Sequence, residues 1–198
     1  MWTIIRDKNT LPDQFRLYAR RLMRVIAEEG LSYINPVETI VQTPVDECTF
    51  QGIRNDLHNI VVVSIIRAGD SLLDVVMELV PECAVGKILI QRNEATAEAE
   101  LFYSKLPPLA NKNIMLVDPM LATGGSAIVA IRILLEKPDV TQKNITFLNV
   151  VSCPEGLKNI TDAYPEVTVI TGCIDERLNE RKYICPGLGD FGDRYFDT

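Results

Sequence analysis

The stretch Ile114-Met115-Leu116-Val117-Asp118-Pro119-Met120-Leu121-Ala122-Thr123-Gly124-Gly125-Ser126 decides the fold. Its first four residues are uniformly apolar, as in a strand buried on both faces, and the strand ends on an acid. The Gly124-Gly125 pair then predicts a tight turn that opens a helix. Such a turn aims successive backbone N–H groups at one phosphate, with the Thr123 and Ser126 hydroxyls as further donors and the helix N-terminus adding partial positive charge. Glycine lets the backbone approach the anion closely. A nucleoside-triphosphate loop would need GxxxxGK[ST], which this stretch does not contain. Asp118, at the carboxyl end of the strand and just ahead of the turn, is placed to accept hydrogen bonds from a sugar whose phosphate lies in the turn. Acid and loop together point to a cradle for ribose 5-phosphate. Taken alone, the loop also fits a turn that does no more than join strand to helix.

Outward from this stretch the same alternation recurs. Compact apolar runs at 60–66, 85–91, 113–117, 145–151 and 167–171 predict strands, and helical spacing near 71–80, 125–136 and 155–164 predicts the helices between them. Strands too apolar to have one wet face, alternating with helices, indicate an α/β fold with a mainly parallel central sheet covered on both faces. Ligands of such folds bind at the carboxyl ends of the strands. Upstream, Phe15, Leu17, Tyr18, Leu22, Val25 and Ile26 recur at helical spacing from Pro12 to Glu29, and Gly30 offers a stop. Residues 31–59, with Pro36, Pro44 and Gly52, read as irregular connections with one or two edge strands and carry no chemistry. Lys87 to Leu106 reads as a hairpin arm leaving the sheet. Ile174 to Thr198, rich in glycine and aspartate, reads as a loop region covering one end of it.

The 198 residues are 47% hydrophobic and 24% charged, enough for one well-packed domain spanning 1–198. A formal charge of −7 excludes the cationic surface that non-specific nucleic-acid or anionic-membrane binding needs, so any phosphate must be held locally. Cys48, Cys83, Cys153, Cys173 and Cys185 form no CxxC pair, and His58 is the single histidine, so free buried thiols are expected rather than a metal site. The start has no apolar signal region and no apolar run is long enough to span a membrane. A cytoplasmic enzyme or binding protein is expected.

The wording of residues 118–126 resembles the phosphoribosyl-pyrophosphate motif of type I phosphoribosyltransferases in its uracil-specific form, with Pro119 where most relatives carry a second acid. Ile65-Ile66-Arg67-Ala68-Gly69, Lys87-Ile88-Leu89-Ile90-Gln91-Arg92 and the segment from Tyr183 to Arg194 resemble the same family, and the likeness runs roughly from Arg6 to Phe196. The Gly-Asp-Phe-Gly-Asp-Arg-Tyr-Phe wording at 189–196 is similar to eukaryotic, particularly protozoan, members.

This resemblance implies a type I phosphoribosyltransferase fold with a hairpin arm at about 87–106 and a C-terminal hood at about 174–198. It implies transfer of uracil onto phosphoribosyl pyrophosphate, giving uridine monophosphate and pyrophosphate. It places Asp118, Arg67, Arg92 and Asp190 in catalysis. Those residues, with Pro119, Met120, Leu121, Ala122, Thr123, Gly124, Gly125 and Ser126, are implied to hold phosphoribosyl pyrophosphate. Ile184, Gly189, Asp190 and Phe191 are implied to contact uracil. Magnesium carried by the substrate pyrophosphate, GTP as an activator, and a homodimer or homotetramer follow from the resemblance alone.

Uracil's ring nitrogen can itself attack, so no Ser, Cys or His nucleophile is required. Tyr103 and Lys105, at the base of the arm, resemble a segment that helps cover the substrate, although Tyr103 fits a core position equally well. Asp70-Ser71, Asn93 and Phe191 depart from the common bacterial wording, and Asn93 removes one charge beside the pyrophosphate. The rival readings are a catalytically silent nucleotide-sensing homologue of the same fold, and a relative that uses a purine base.

Overall fold

The computed structural model describes residues 1–92 and 99–198. The chain opens with helices α1 (Trp2–Arg6) and α2 (Pro12–Ser32). Pro12 suits the first turn of α2, where its missing N–H has no partner to lose. Phe15, Ala19, Leu22, Met23, Ile26 and Ala27 form the buried stripe of α2. This helix continues through Gly30, the expected stop. A side chain at Gly30 would meet Leu148 Cδ2 at 2.6 Å, so this glycine lets the helix lie close on the sheet instead of ending it.

Strands β1 (Pro36–Gln42) and β2 (Thr49–Asn55) follow as an antiparallel ribbon, largely exposed. They pair only with each other and are not edge strands of the main sheet. The alternating part then runs β3 (Ile60–Ile66), α3 (Asp70–Leu79), β4 (Ala84–Arg92), β5 (Ala99–Lys105), β6 (Asn113–Val117), β7 (Met120–Leu121), α4 (Gly125–Leu135), β8 (Ile145–Ser152), α5 (Pro154–Ala163) and β9 (Thr168–Ile174). A short ribbon of β10 (Arg177–Leu178) and β11 (Ile184–Cys185) leads to α6 (Phe191–Phe196).

The main sheet is ordered β5-β4-β3-β6-β8-β9. Its pairings are parallel except β4 with β5. β7 continues the line of β6 along β8, and between the two the Pro119 carbonyl accepts from Val150 and Val151 N–H at 3.0 Å. The arm expected to leave the sheet at Lys87 stays in it further, since β4 pairs with β3 as far as Leu89.

Alternation along β6 feeds two apolar layers. Met115 and Val117 pack with α2 and α3, whereas Ile114 and Leu116 pack with α4 and α5. Both faces are thus dry, which is why the strand sequences lack a polar alternation. Among the described residues no helix is long and apolar enough to cross a membrane.

The C-terminal segment is more regular than its composition indicates. Phe191 in α6 meets Phe15 edge-on at 5.3 Å and stacks on Tyr195 at 5.7 Å, which fastens the segment to α2. The cysteines are free as expected, but only Cys153 is buried, and Cys48 is exposed. Phe147 on β8 is 0% exposed in the layer under α4 and α5. We expect Phe147→Ala to lower the free energy of unfolding by about 3–5 kcal/mol, measured by urea denaturation, because the cavity cannot fully collapse.

Candidate active site

The carboxyl ends of β3 and β6 deliver the two strongest candidate residues, as an open parallel sheet should. After β3 the backbone turns at Arg67-Ala68-Gly69 into α3, with Gly69 N–H bonded to the Ile65 carbonyl at 3.0 Å. After β6, Asp118 N–H is bonded to the Leu148 carbonyl at 3.2 Å, and the Asp118 carboxylate accepts from Met120 N–H at 3.4 Å. The loop then reaches α4 through Gly124, whose φ of +83° is the left-handed conformation a Gly-Gly turn supplies.

The predicted phosphate-loop residues divide by environment. Pro119, Leu121 and Gly124 are buried. Met120 and Ala122 line a cavity of about 340 Å³. Thr123, Gly125 and Ser126 stay partly exposed at the start of α4, and Asn159 of α5 steadies the loop by donating to the Thr123 carbonyl at 3.0 Å.

The remaining wall of the cavity is the C-terminal hood: Tyr183, Ile184, Gly189, Asp190, Phe191 and Gly192, with Arg181 and Lys182 at its edge and Ala68 opposite. All four residues expected to contact a base therefore border one cavity. Phe191, however, is 1% exposed and its ring belongs to the aromatic cluster with Phe15. Tyr183, Arg181 and Lys182 were not singled out as contacts in the sequence reading. They sit in a polar turn, where nothing in the residue pattern shows which side chains face inward.

Arg67 has partners that the sequence did not show. Arg67 does not stand free: its guanidinium donates to the Asp193 carboxylate and, at 2.6 Å, to Thr198 Oγ1. Gly192 makes room for it, since a Cβ there would lie 3.2 Å from Arg67 Nη2. Arg92 ends β4, and its side chain, like Asn93, lies outside the described residues. Tyr103 is exposed on β5, which removes the core-packing alternative.

Electrostatically the end of β6, beside the loop that borders the cavity, is unusual. Burial pushes the Asp118 carboxyl up to about 7, the Met120 N–H opposes the rise, and the negative charge of Asp190 adds to it. Asp190 meanwhile caps α6, its carboxylate accepting from Asp193 N–H at 2.8 Å. A carboxyl poised near neutrality beside a second acid will ionise fully when positive charge arrives. The helix start and Arg67 supply donors for anions nearby.

Comparison with known proteins gives a consistent picture. The family model for uracil phosphoribosyltransferase matches residues 1–198. The chain is 47% identical to the uracil phosphoribosyltransferase of Dictyostelium discoideum, over an alignment covering 100% of this chain and 91% of that one. It is 44% identical to the uracil phosphoribosyltransferase of Saccharomyces cerevisiae, covering 99% and 90%. A solved structure of a protein from Aquifex aeolicus aligns at 36% identity with a TM-score of 0.82, covering 98% of this chain and 91% of that one.

The raised carboxyl carries its own test. Asp118 should titrate near pH 7 in carboxyl-resolved NMR, and Asp190→Asn should move that midpoint down by removing a neighbouring negative charge. Because the native state holds the proton more tightly than the unfolded chain, this group's contribution to stability should be full below about pH 4 and lost as pH rises toward 7. A midpoint below pH 5 would place Asp118 in a wetter site than described.

Proposed function

The chain belongs to the uracil phosphoribosyltransferase family, and we propose that it transfers uracil to the anomeric carbon of phosphoribosyl pyrophosphate, releasing uridine monophosphate and pyrophosphate. The observation that carries this reading is the single cavity in which the loop after β6 faces the glycine-rich hood. The fold is that of the type I phosphoribosyltransferases, and residues 1–198 work as one domain in this reading.

Cleavage of the bond to pyrophosphate develops positive charge on the ribose and negative charge on the leaving group. Catalysis is then a matter of position and electrostatics. Asp118 accepts hydrogen bonds from the ribose hydroxyls, and with Asp190 it places negative charge where the ring becomes positive. Backbone N–H groups of residues 122–126 and the hydroxyls of Thr123 and Ser126 hold the 5-phosphate at the start of α4. Arg67 leaves Asp193 for the pyrophosphate, and Arg92 is the second arginine assigned to the same anion in this reading. Uracil lies against the hood, where backbone groups around Ile184 and Gly189 match its acceptor-donor-acceptor edge. Cytosine would leave buried groups unpaired there.

The family implies magnesium. Magnesium keeps several of its waters and takes other oxygens from pyrophosphate, so it asks for few oxygen donors from the protein. Asp118 and Asp190 are the carboxylates at hand for it, and when bound it neutralises charge on the pyrophosphate.

The reading also extends to a homodimer or homotetramer and to GTP as an activator. Apolar side chains exposed on both faces of the β1–β2 ribbon support a partner chain, among them Ile40 at 70% and Ile53 at 71% on one face and Phe50 at 60% on the other.

Purified protein given magnesium, phosphoribosyl pyrophosphate and each of uracil, cytosine, hypoxanthine and adenine, with and without GTP, should form nucleotide and pyrophosphate from uracil. It should discriminate against cytosine by about 10⁴ or more in kcat/KM. Ligand binding without product would instead favour a silent sensor. Asp118→Asn should lower kcat about a hundredfold or more with the fold intact. Arg67→Ala should raise KM for phosphoribosyl pyrophosphate about 10–100-fold, the worth of a charged hydrogen bond. Near-native kinetics in either variant would remove that residue from its proposed role.

A further inference from the structure

A largely buried ion pair joins the two ends of the chain. Asp175, just past β9, is 5% exposed. Its carboxylate accepts from Arg6 Nη1 at 2.8 Å and Arg6 Nη2 at 2.6 Å. The same carboxylate accepts from Gly187 N–H at 2.8 Å, and Arg6 Nη1 also donates to the Gly187 carbonyl at 2.8 Å. Both backbone groups of Gly187 are therefore fixed by one ion pair. Asp175 is itself tied to the sheet, its N–H bonded to the Ser152 carbonyl at 2.8 Å.

Gly187 has φ +63°, and a Cβ there would run into the Ile184 carbonyl, so the turn from Ile184 to Gly187 is closed tightly on itself. Ile184 and Gly189, on either side of the clamped residue, line the cavity; Arg6 and Asp175 do not. Arg194 reinforces the arrangement by donating to the carbonyls of Ile5 at 2.5 Å and Leu188 at 2.6 Å.

We infer that Arg6 and Asp175 are positioning residues that hold hood residues 184–191 in register with the cavity, and thereby set the affinity and selectivity for the base. This rests on the proposed uracil site. The physical argument is that an array of backbone donors and acceptors recognises a base only while it is held still, and a segment with so little regular structure needs an outside clamp. The ion pair is the clamp. It works on the hood and not on the loop after β6, so its loss should be felt by one substrate and not the other.

The test is steady-state kinetics on the native chain, Asp175→Asn, Arg6→Gln and Arg6→Lys, together with hydrogen exchange of peptides covering 184–191. Asp175→Asn and Arg6→Gln should raise KM for uracil at least about tenfold. They should leave KM for phosphoribosyl pyrophosphate within about twofold and narrow the discrimination against cytosine. Arg6→Lys, which keeps the charge and one donor, should recover part of the loss. Exchange protection should fall in 184–191 and persist in β3 and β6. Unchanged uracil KM in folded variants, equal rises in both KM values, or unchanged hood exchange would overturn the inference. If Asp175→Asn does not fold, the Arg6 variants decide, because they leave the Asp175 to Gly187 bond in place. Absence of uracil turnover in the native chain would overturn the base assignment itself, with hood exchange then reporting on the clamp alone.

Discussion

The arrangement depends on β6 being dry on both faces while its next residue must carry charge. Ile114, Met115, Leu116 and Val117 are each 0% exposed, and Asp118 follows directly. A sheet covered on both sides can present functional groups only where its strands end, and ending β6 at Val117 puts the acid at the strand end, two residues before Met120, which lines the cavity. Asp118, only partly exposed, follows that core directly, and burial pushes its carboxyl up to about 7. Packing the core and tuning the acid are thus one feature. A wetter β6 would loosen the layers under α2 and α4 and return Asp118 to an ordinary carboxylate.

The cavity needs two walls of different kinds. The loop after β6 is braced by regular structure, with β7 paired to β8 and Asn159 of α5 holding the Thr123 carbonyl. The hood has only a two-residue ribbon and the short helix α6, so its shape comes from side chains anchored elsewhere. Phe15 of α2 packs on Phe191, and Arg194 lies 4.4 Å over the Phe15 ring while bonding carbonyls from both chain ends. The N-terminal helices therefore serve the site without touching a ligand.

The parallel sheet and the loop at 118–126 were legible because their signals are local: uniformly apolar runs, a terminal acid and a Gly-Gly turn. Strand limits at 60–66 and 113–117 came out as expected for this reason. Gly30 misled because a glycine that permits close packing has the same letter as one that ends a helix, and only the facing Leu148 separates them. The β1–β2 ribbon was obscured because polar residues and prolines mark exposed strands and loops alike. The four hood residues Ile184, Gly189, Asp190 and Phe191 were traced through resemblance, but Phe191 proves mostly core, a role its neighbours in sequence do not reveal. Arg6 with Asp175 was invisible, since the pair is separated by 169 positions and nothing local marks either residue.

The contact between Arg67 and Asp193 bears on how such a site stays ready. Both side chains are about half exposed, 47% and 52%, so the pair sits in high dielectric and contributes only about 0–1 kcal/mol. A pyrophosphate offers the same guanidinium more charge and two oxygens in a fork that matches its donors, in a cleft that the ligand itself dries. The exchange of partners is therefore favourable without any strain stored in advance. Asp193 and Thr198 keep the arginine in one orientation at little energetic cost, and Gly192 leaves the space in which it lies. A buried ion pair in the same place would hold Arg67 too firmly to release. The contrast with Arg6 and Asp175 is instructive: the pair that must let go is half exposed, and the pair that must hold is largely buried, 22% and 4% exposed.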